Sequence, residues 1–280
     1  MLVGRTRSLP FAPVESGEVL LPGYRVVRLL AHGKRLDTYD AWDEDRDCRV
    51  VVKVLRADRR HERDVVASVL QEGRLVTTLA HPHLVRGFEV VEQPLPAVVL
   101  ETLTGATLGA LVEEQPIGAA DVTQLGLQLV SVLGYLHRRD WLHLDLKPGN
   151  VVVQDGRAVL IDLSLAGRPG TGRSGAGTPG YLAPEQAVGR GLSPATDVFG
   201  LGVTLSECLS GELPYGEEAT WESRRRLPLV HRPHPREPVA LPTDVPPELA
   251  GALRACVALD PAERPSLARL RSVLGDLAGA

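Results

Sequence analysis

His143-Leu144-Asp145-Leu146-Lys147-Pro148-Gly149-Asn150 sets a carboxylate, an ammonium and a carboxamide within six residues, Asp145 to Asn150. An amphipathic helical pattern precedes the stretch and a short β run follows it. These groups suit the movement of a phosphoryl onto an alcohol. A carboxylate accepts the hydroxyl proton, a cation answers the phosphate charge, and a neutral oxygen can ligate Mg²⁺. Asp162, at the end of the next hairpin, offers a second oxygen ligand.

Composition sharpens the reading. Of 31 basic residues only Lys34, Lys53 and Lys147 are lysines, and Asn150 is the only asparagine. A chain that otherwise uses arginine keeps lysine where a compact ammonium on a flexible stem is needed.

Upstream of the loop, Val122, Leu125, Leu129, Val132, Leu133 and Leu136 recur at helical spacing. Further upstream, β-rich runs at 24–30, 38–42 and 49–55 alternate with polar or glycine-containing turns and suit an antiparallel meander. A helix is expected over 61–79, with Val65, Val69, Glu72, Val76 and Leu79 on one face. Glu72 inside that apolar stripe needs a partner, since an unpaired buried charge is costly. Strands at 84–91 and 97–101 complete an expected five-stranded sheet with one long helix. Downstream lie short strands at 151–153 and 159–161, a central helix carrying Val198, Leu201, Leu205, Cys208 and Leu209, and a helix capped by Ser266. Residues 1–22 read as a flexible tail, 23–103 as a smaller β-rich lobe and 104–278 as a mostly helical one. The proline-rich stretch 227–247 reads as irregular surface, and the arginine run at 224–226 as a solvated turn.

At 280 residues the chain is long enough for two packed lobes. Its 44% apolar and 24% charged residues are ordinary for a soluble protein, and a net charge of −4 points to no nucleic-acid or membrane-surface partner. Cys48, Cys208 and Cys256 lack the number and spacing of a disulfide framework or a zinc site. No run approaches the ~20 apolar residues of a membrane helix, and residues 1–19 make a poor signal peptide. A cytoplasmic location is expected, with regulation supplied by a partner, the tail or expression level.

The loop at 143–150 resembles the H-R-D-x-x-x-x-N loop of eukaryotic-like protein kinases, and Asp162-Leu163-Ser164 resembles their D-F-G. Val50-Val51-Val52-Lys53 is similar to V-A-I-K, and Glu72 stands where a helix glutamate pairs that lysine. Gly177-Thr178-Pro179-Gly180-Tyr181-Leu182-Ala183-Pro184-Glu185 resembles the G-T-x-x-Y-x-A-P-E segment. Asp197 and Arg264 match further family positions, Arg264 as the partner of Glu185. The likeness covers about residues 23–278 and is closest to bacterial-type serine/threonine kinases. It implies a two-lobed α+β fold, ATP and Mg²⁺ as cofactors, and proteins bearing Ser or Thr as substrates. It also implies roles. Lys53, held by Glu72, contacts the α- and β-phosphates. Asp145 is the base, Lys147 neutralises the transferring phosphoryl, Asn150 and Asp162 bind Mg²⁺, and Thr178 bridges Asp145 and Lys147. Ala31, Gly33 and Thr38 belong to the glycine-rich loop and Val51 lies over adenine. Leu100 is the gatekeeper, and backbone groups of Glu101 and Leu103 bond the base.

The chain also departs from the family. Ala31-His32-Gly33-Lys34-Arg35-Leu36-Asp37-Thr38 keeps only the middle glycine of G-x-G-x-x-G-x-V. Leu36 there is expected to resist positive φ and to crowd the turn, while Lys34 can attract phosphate. Val51 replaces an alanine, and Leu163-Ser164 replace Phe-Gly. Leu144 replaces the arginine that meets a phosphorylated activation loop, so activity is expected to depend little on phosphate at Thr171 or Ser174. The alternative is a pseudokinase or scaffold that keeps the fold, with or without nucleotide binding, and has little turnover; a small-molecule phosphotransferase comes third, having little use for the 177–185 segment.

Overall fold

The computed structural model describes residues 12–216 and 237–279. The chain divides into two compact units, one from residues up to 80 with Val85–Thr102, the other from His81–Leu84 with residues from 103 onward. The arginine run at 224–226, and the proline-rich stretch as far as 236, lie outside the described residues.

The first unit is an antiparallel sheet of β1 (Val19–Leu21), β2 (Tyr24–His32), β3 (Leu36–Asp43), β4 (Cys48–Leu55), β5 (Gly87–Val91) and β6 (Ala97–Glu101), in the order β1-β2-β3-β4-β6-β5. Val50, Val52 and Val54 of β4 bury one face against Tyr24, Val26, Tyr39, Ala41, Ala97 and Val99. The helix α1 (Arg63–Thr78) packs on β5 and β6. It comes so close that a Cβ on Gly73 would meet Val90 at 2.8 Å and Val98 at 3.1 Å. The five expected strands are joined by a sixth, β1, from residues read as tail. Leu21 is buried, Gly23 turns with φ 83°, and Gly17 N and Val26 N bond across the pair. An apolar residue and one left-handed glycine suffice to fold the chain back. β5 starts three residues later than expected because Leu84 instead bridges to Leu160 of the second unit.

The second unit is built on α3 (Ala119–His137) and α5 (Pro194–Ser210). α5 is buried on nearly every side, and its start carries a capping box between Ser193 and Thr196. α6 (Pro247–Cys256) packs on α5, and α7 (Leu267–Ala278) on α3. The sequence does not announce α2 (Leu108–Glu114), α4 (Pro184–Val188) or α6. The first two are too short to show a period, and α6 begins with Pro247 at a first-turn position that proline suits. Two small sheets complete the unit: β7 (Ala106–Thr107), β8 (Val151–Gln154) and β9 (Arg157–Leu160), and the pair β10 (Gly170–Thr171) and β11 (Arg190–Leu192). Among the described residues no helix is long and apolar enough to cross a membrane.

Candidate active site

Most of the loop carrying Asp145 is neither helix nor strand, so side chains must hold it. The principal holder is Asp197, buried in the first turn of α5. Its carboxylate accepts from His143 N and Leu144 N, each at 2.8 Å, and lies 2.7 Å from His137 Nε2. A carboxylate at that distance makes Nε2 the donor. His143 is fully buried and accepts from Asp145 N through Nδ1 at 3.2 Å. Burial lowers its pKa, outweighing the carboxylates of Asp197, Asp162 and Asp145, so the ring is neutral, as the accepting Nδ1 requires. Leu144 takes φ 65°, a left-handed conformation that L side chains rarely adopt.

The reactive groups meet in this loop. Thr178 Oγ1 donates to Asp145 Oδ1 at 2.7 Å and accepts from Lys147 Nζ at 2.6 Å. Lys147 Nζ lies 3.3 Å from Asp145 Oδ2. Asn150 Nδ2 donates to the Asp145 carbonyl at 2.8 Å and to its Oδ2 at 3.1 Å. Thus Asp145 is gripped by a hydroxyl, an ammonium and an amide. The β8–β9 hairpin, with Val151 opposite Leu160, closes so that Ile161 N bonds the Asn150 carbonyl at 3.0 Å. Residues twelve apart, Asn150 and Asp162, are therefore brought alongside. Asp162 Oδ1 accepts from Ser164 N at 2.8 Å, and Leu163 is buried.

Around this centre the segment 177–185 is anchored through Glu185 and Tyr181. Arg264 holds Glu185 with two bonds of 2.7 and 3.0 Å and reaches the carbonyls of Ala195, Ala258 and Leu259. Its guanidinium lies 4.9 Å from the Phe199 ring centroid. Tyr181 donates to Glu207 Oε2 at 2.5 Å. Burial, reinforced by that bond, raises the pKa of the phenol; burial also raises that of Glu207, against the pull of the same bond.

In the first unit, Lys53 Nζ donates to Glu72 Oε1 at 2.7 Å, with Glu72 buried on α1. The register places Thr38 opposite Lys53, and Val51 between Asp40 and Leu100. Gly33 N bonds Leu36 O at 2.9 Å, and a Cβ at Gly33 would approach that oxygen to 2.5 Å, so glycine is required there by close approach. The expected strain at Leu36 does not arise. Leu36 opens β3, and the positive-φ residues other than glycine among those described are Asp47, Asp140, Leu144 and Asp155. His32 and Asp37 instead brace the turn at 2.7 Å, and Arg56 reaches Gly33 O at 3.1 Å. Ala31 and Lys34 are exposed. Glu101 N is engaged by Arg86 O at 2.9 Å; Leu103 opens the continuation of the second unit. The reading from sequence overlooked His137 and Gln186. His137 could have been sought one helical face before the loop, whereas Gln186 carries no signal beyond following Glu185.

The family model for the protein kinase domain matches residues 24–273. The serine/threonine-protein kinase PkaA of Streptomyces coelicolor is 32% identical over 79% of this chain and 41% of its own length. Pkn1 of Myxococcus xanthus, also a serine/threonine-protein kinase, is 31% identical over 94% of this chain and 40% of its own. PknA of Mycobacterium tuberculosis is 28% identical over 89% and 59% respectively. The chain thus spans about two fifths of the length of the first two. By the extent of the family match, the chain belongs to the protein kinase domain family.

Proposed function

We propose that this chain is a serine/threonine protein kinase that transfers the γ-phosphoryl of Mg·ATP to a protein hydroxyl. The observation that carries the reading is the Asp145–Thr178–Lys147 network, in which one hydroxyl links a carboxylate and an ammonium at 2.7 and 2.6 Å. Asp145, oriented by Asn150 and Thr178, receives the proton of the substrate hydroxyl as its oxygen bonds phosphorus and the bond to the ADP oxygen breaks. Lys147 sets a positive charge beside the transferring phosphoryl.

The donor set suits a hard cation. Asn150 turns its NH₂ to Asp145, which leaves the amide oxygen for a metal, and Asp162 adds a carboxylate. Mg²⁺ held there would neutralise phosphate charge. Lys53, steadied by Glu72, serves the α- and β-phosphates, and Ala31, Gly33, Thr38 and Val51 line the nucleotide. Adenine takes the backbone of Leu103 and, because the Glu101 amide is engaged by Arg86, the carbonyl of Glu101. The segment 177–185 receives the peptide around the acceptor Ser or Thr. Use of ATP places the activity in the cytoplasm.

The test is transfer of radiolabel from Mg·ATP to the chain itself and to a generic protein. Asp145→Asn should lower the rate on the order of 10²-fold or more while nucleotide binding persists. ATP binding by the unaltered protein with no transfer to any hydroxyl would overturn the reading in favour of a pseudokinase.

A further inference from the structure

Leu144 and Asp145 are adjacent, so whatever fixes the backbone of one aims the carboxylate of the other. Leu144 is held at φ 65°, a left-handed conformation unfavourable for a leucine, and such a residue persists only where its surroundings over-determine it. Asp197 fixes its amide. On the other side, its carbonyl accepts from Gln186 Nε2 at 2.5 Å.

Gln186, buried on α4, does more than this. The same Nε2 donates to Ala176 O at 2.7 Å, and the Gln186 backbone carbonyl accepts from Gly175 N at 3.3 Å. Gly177 passes so near that a Cβ there would come within 2.8 Å of Nε2, and its φ of 138° suits glycine. Two carbonyls facing one nitrogen demand the amide's donor end, so the orientation of the side chain is determined. One buried amide thus ties the residue before Asp145 to the segment that delivers Thr178.

We infer that Gln186 is a positioning residue for phosphoryl transfer, locking the Asp145 loop and the Thr178 segment into one unit through the Leu144 carbonyl. The inference rests on the kinase reading above. It makes the residue-144 side chain dispensable for this link, because the main chain carries it. Arginine is absent there, and the link to Gln186 uses the carbonyl of Leu144 alone.

The experiment compares Gln186→Met, similar in size but unable to donate, with Gln186→Asn, which keeps the amide on a shorter stem. Steady-state kinetics should show kcat reduced about tenfold or more in Gln186→Met, with KM for ATP held within about twofold, since the nucleotide-side residues of the first unit are untouched. Hydrogen exchange over 172–178 should quicken while that of α5 is preserved. Gln186→Asn should show the same signature more weakly, and it supplies the result if the Met variant does not fold. Unchanged kcat and unchanged exchange over 172–178 in either folded variant would overturn the inference. An unaltered protein without phosphotransfer would instead sink the kinase reading, and the exchange measurement would still decide whether Gln186 orders the segment.

Discussion

Single residues here repeatedly do the work that regular structure does elsewhere. Asp43, at the end of β3, accepts from Asp45 N, Arg46 N and the Arg46 guanidinium at 3.1, 3.0 and 2.7 Å, closing the turn into β4. Burial pushes its pKa up, but these three donors together hold it below the ordinary carboxylate value. A folded pKa below the unfolded one gives stability that is present above the unfolded pKa and lost as pH falls through the folded value. Asp43→Asn should therefore destabilise the protein by about 1–2 kcal/mol at neutral pH, with the difference fading as the medium is acidified below the carboxylate range. Melting curves of both proteins across that range check this; a difference that grew on acidification would contradict the assignment.

At the scale of elements, the segment from β10 to α4 is fastened by hydrogen bonds within itself. Gly172 N bonds Gly189 O at 3.1 Å, Ser174 Oγ donates to Ala187 O at 2.7 Å, and Gly175 N reaches Gln186 O. Gly189, at φ 71°, approaches so closely that a Cβ there would meet Gly172 O at 2.6 Å. None of these contacts needs a phosphate, and Leu144 offers no guanidinium to receive one. Phosphatase treatment should therefore leave turnover within about twofold of the untreated protein. Abolished activity after dephosphorylation would refute the idea. Arg264 joins elements at longer range, linking α4, the start of α5 and the turn after α6 through five hydrogen bonds. Arg264→Ala leaves the Glu185 carboxylate largely buried without its fork and should cost about 3–5 kcal/mol, or roughly 10 °C in Tm. Thermal unfolding tests this, and a loss within the error of a surface substitution would show that the pair is not a structural tie.

At the scale of the molecule, the proposed chemistry is divided. The first unit carries the ion pair Lys53–Glu72, and the second carries Asp145, Lys147, Asn150, Asp162 and Thr178. Local sequence determined much of this. β-rich runs between turn residues announced five strands, period-3.6 runs announced α1, α3, α5 and α7, and rare lysines and one asparagine marked positions that a chemistry of phosphate and oxygen ligands needs. These signals are short-range because they depend on which face of one element is apolar, or on which residue types a loop cannot replace. What the sequence could not convey is which distant groups satisfy each other. That Asp197 fixes two amides more than fifty residues away, that Gln186 spans two segments, that Leu36 sits unstrained in a strand, and that residues 19–21 pair with β2 were all decided by tertiary structure. The physical reason is that a buried donor or acceptor must find a partner wherever the fold supplies one, and that choice is made by packing, not by neighbours in the chain.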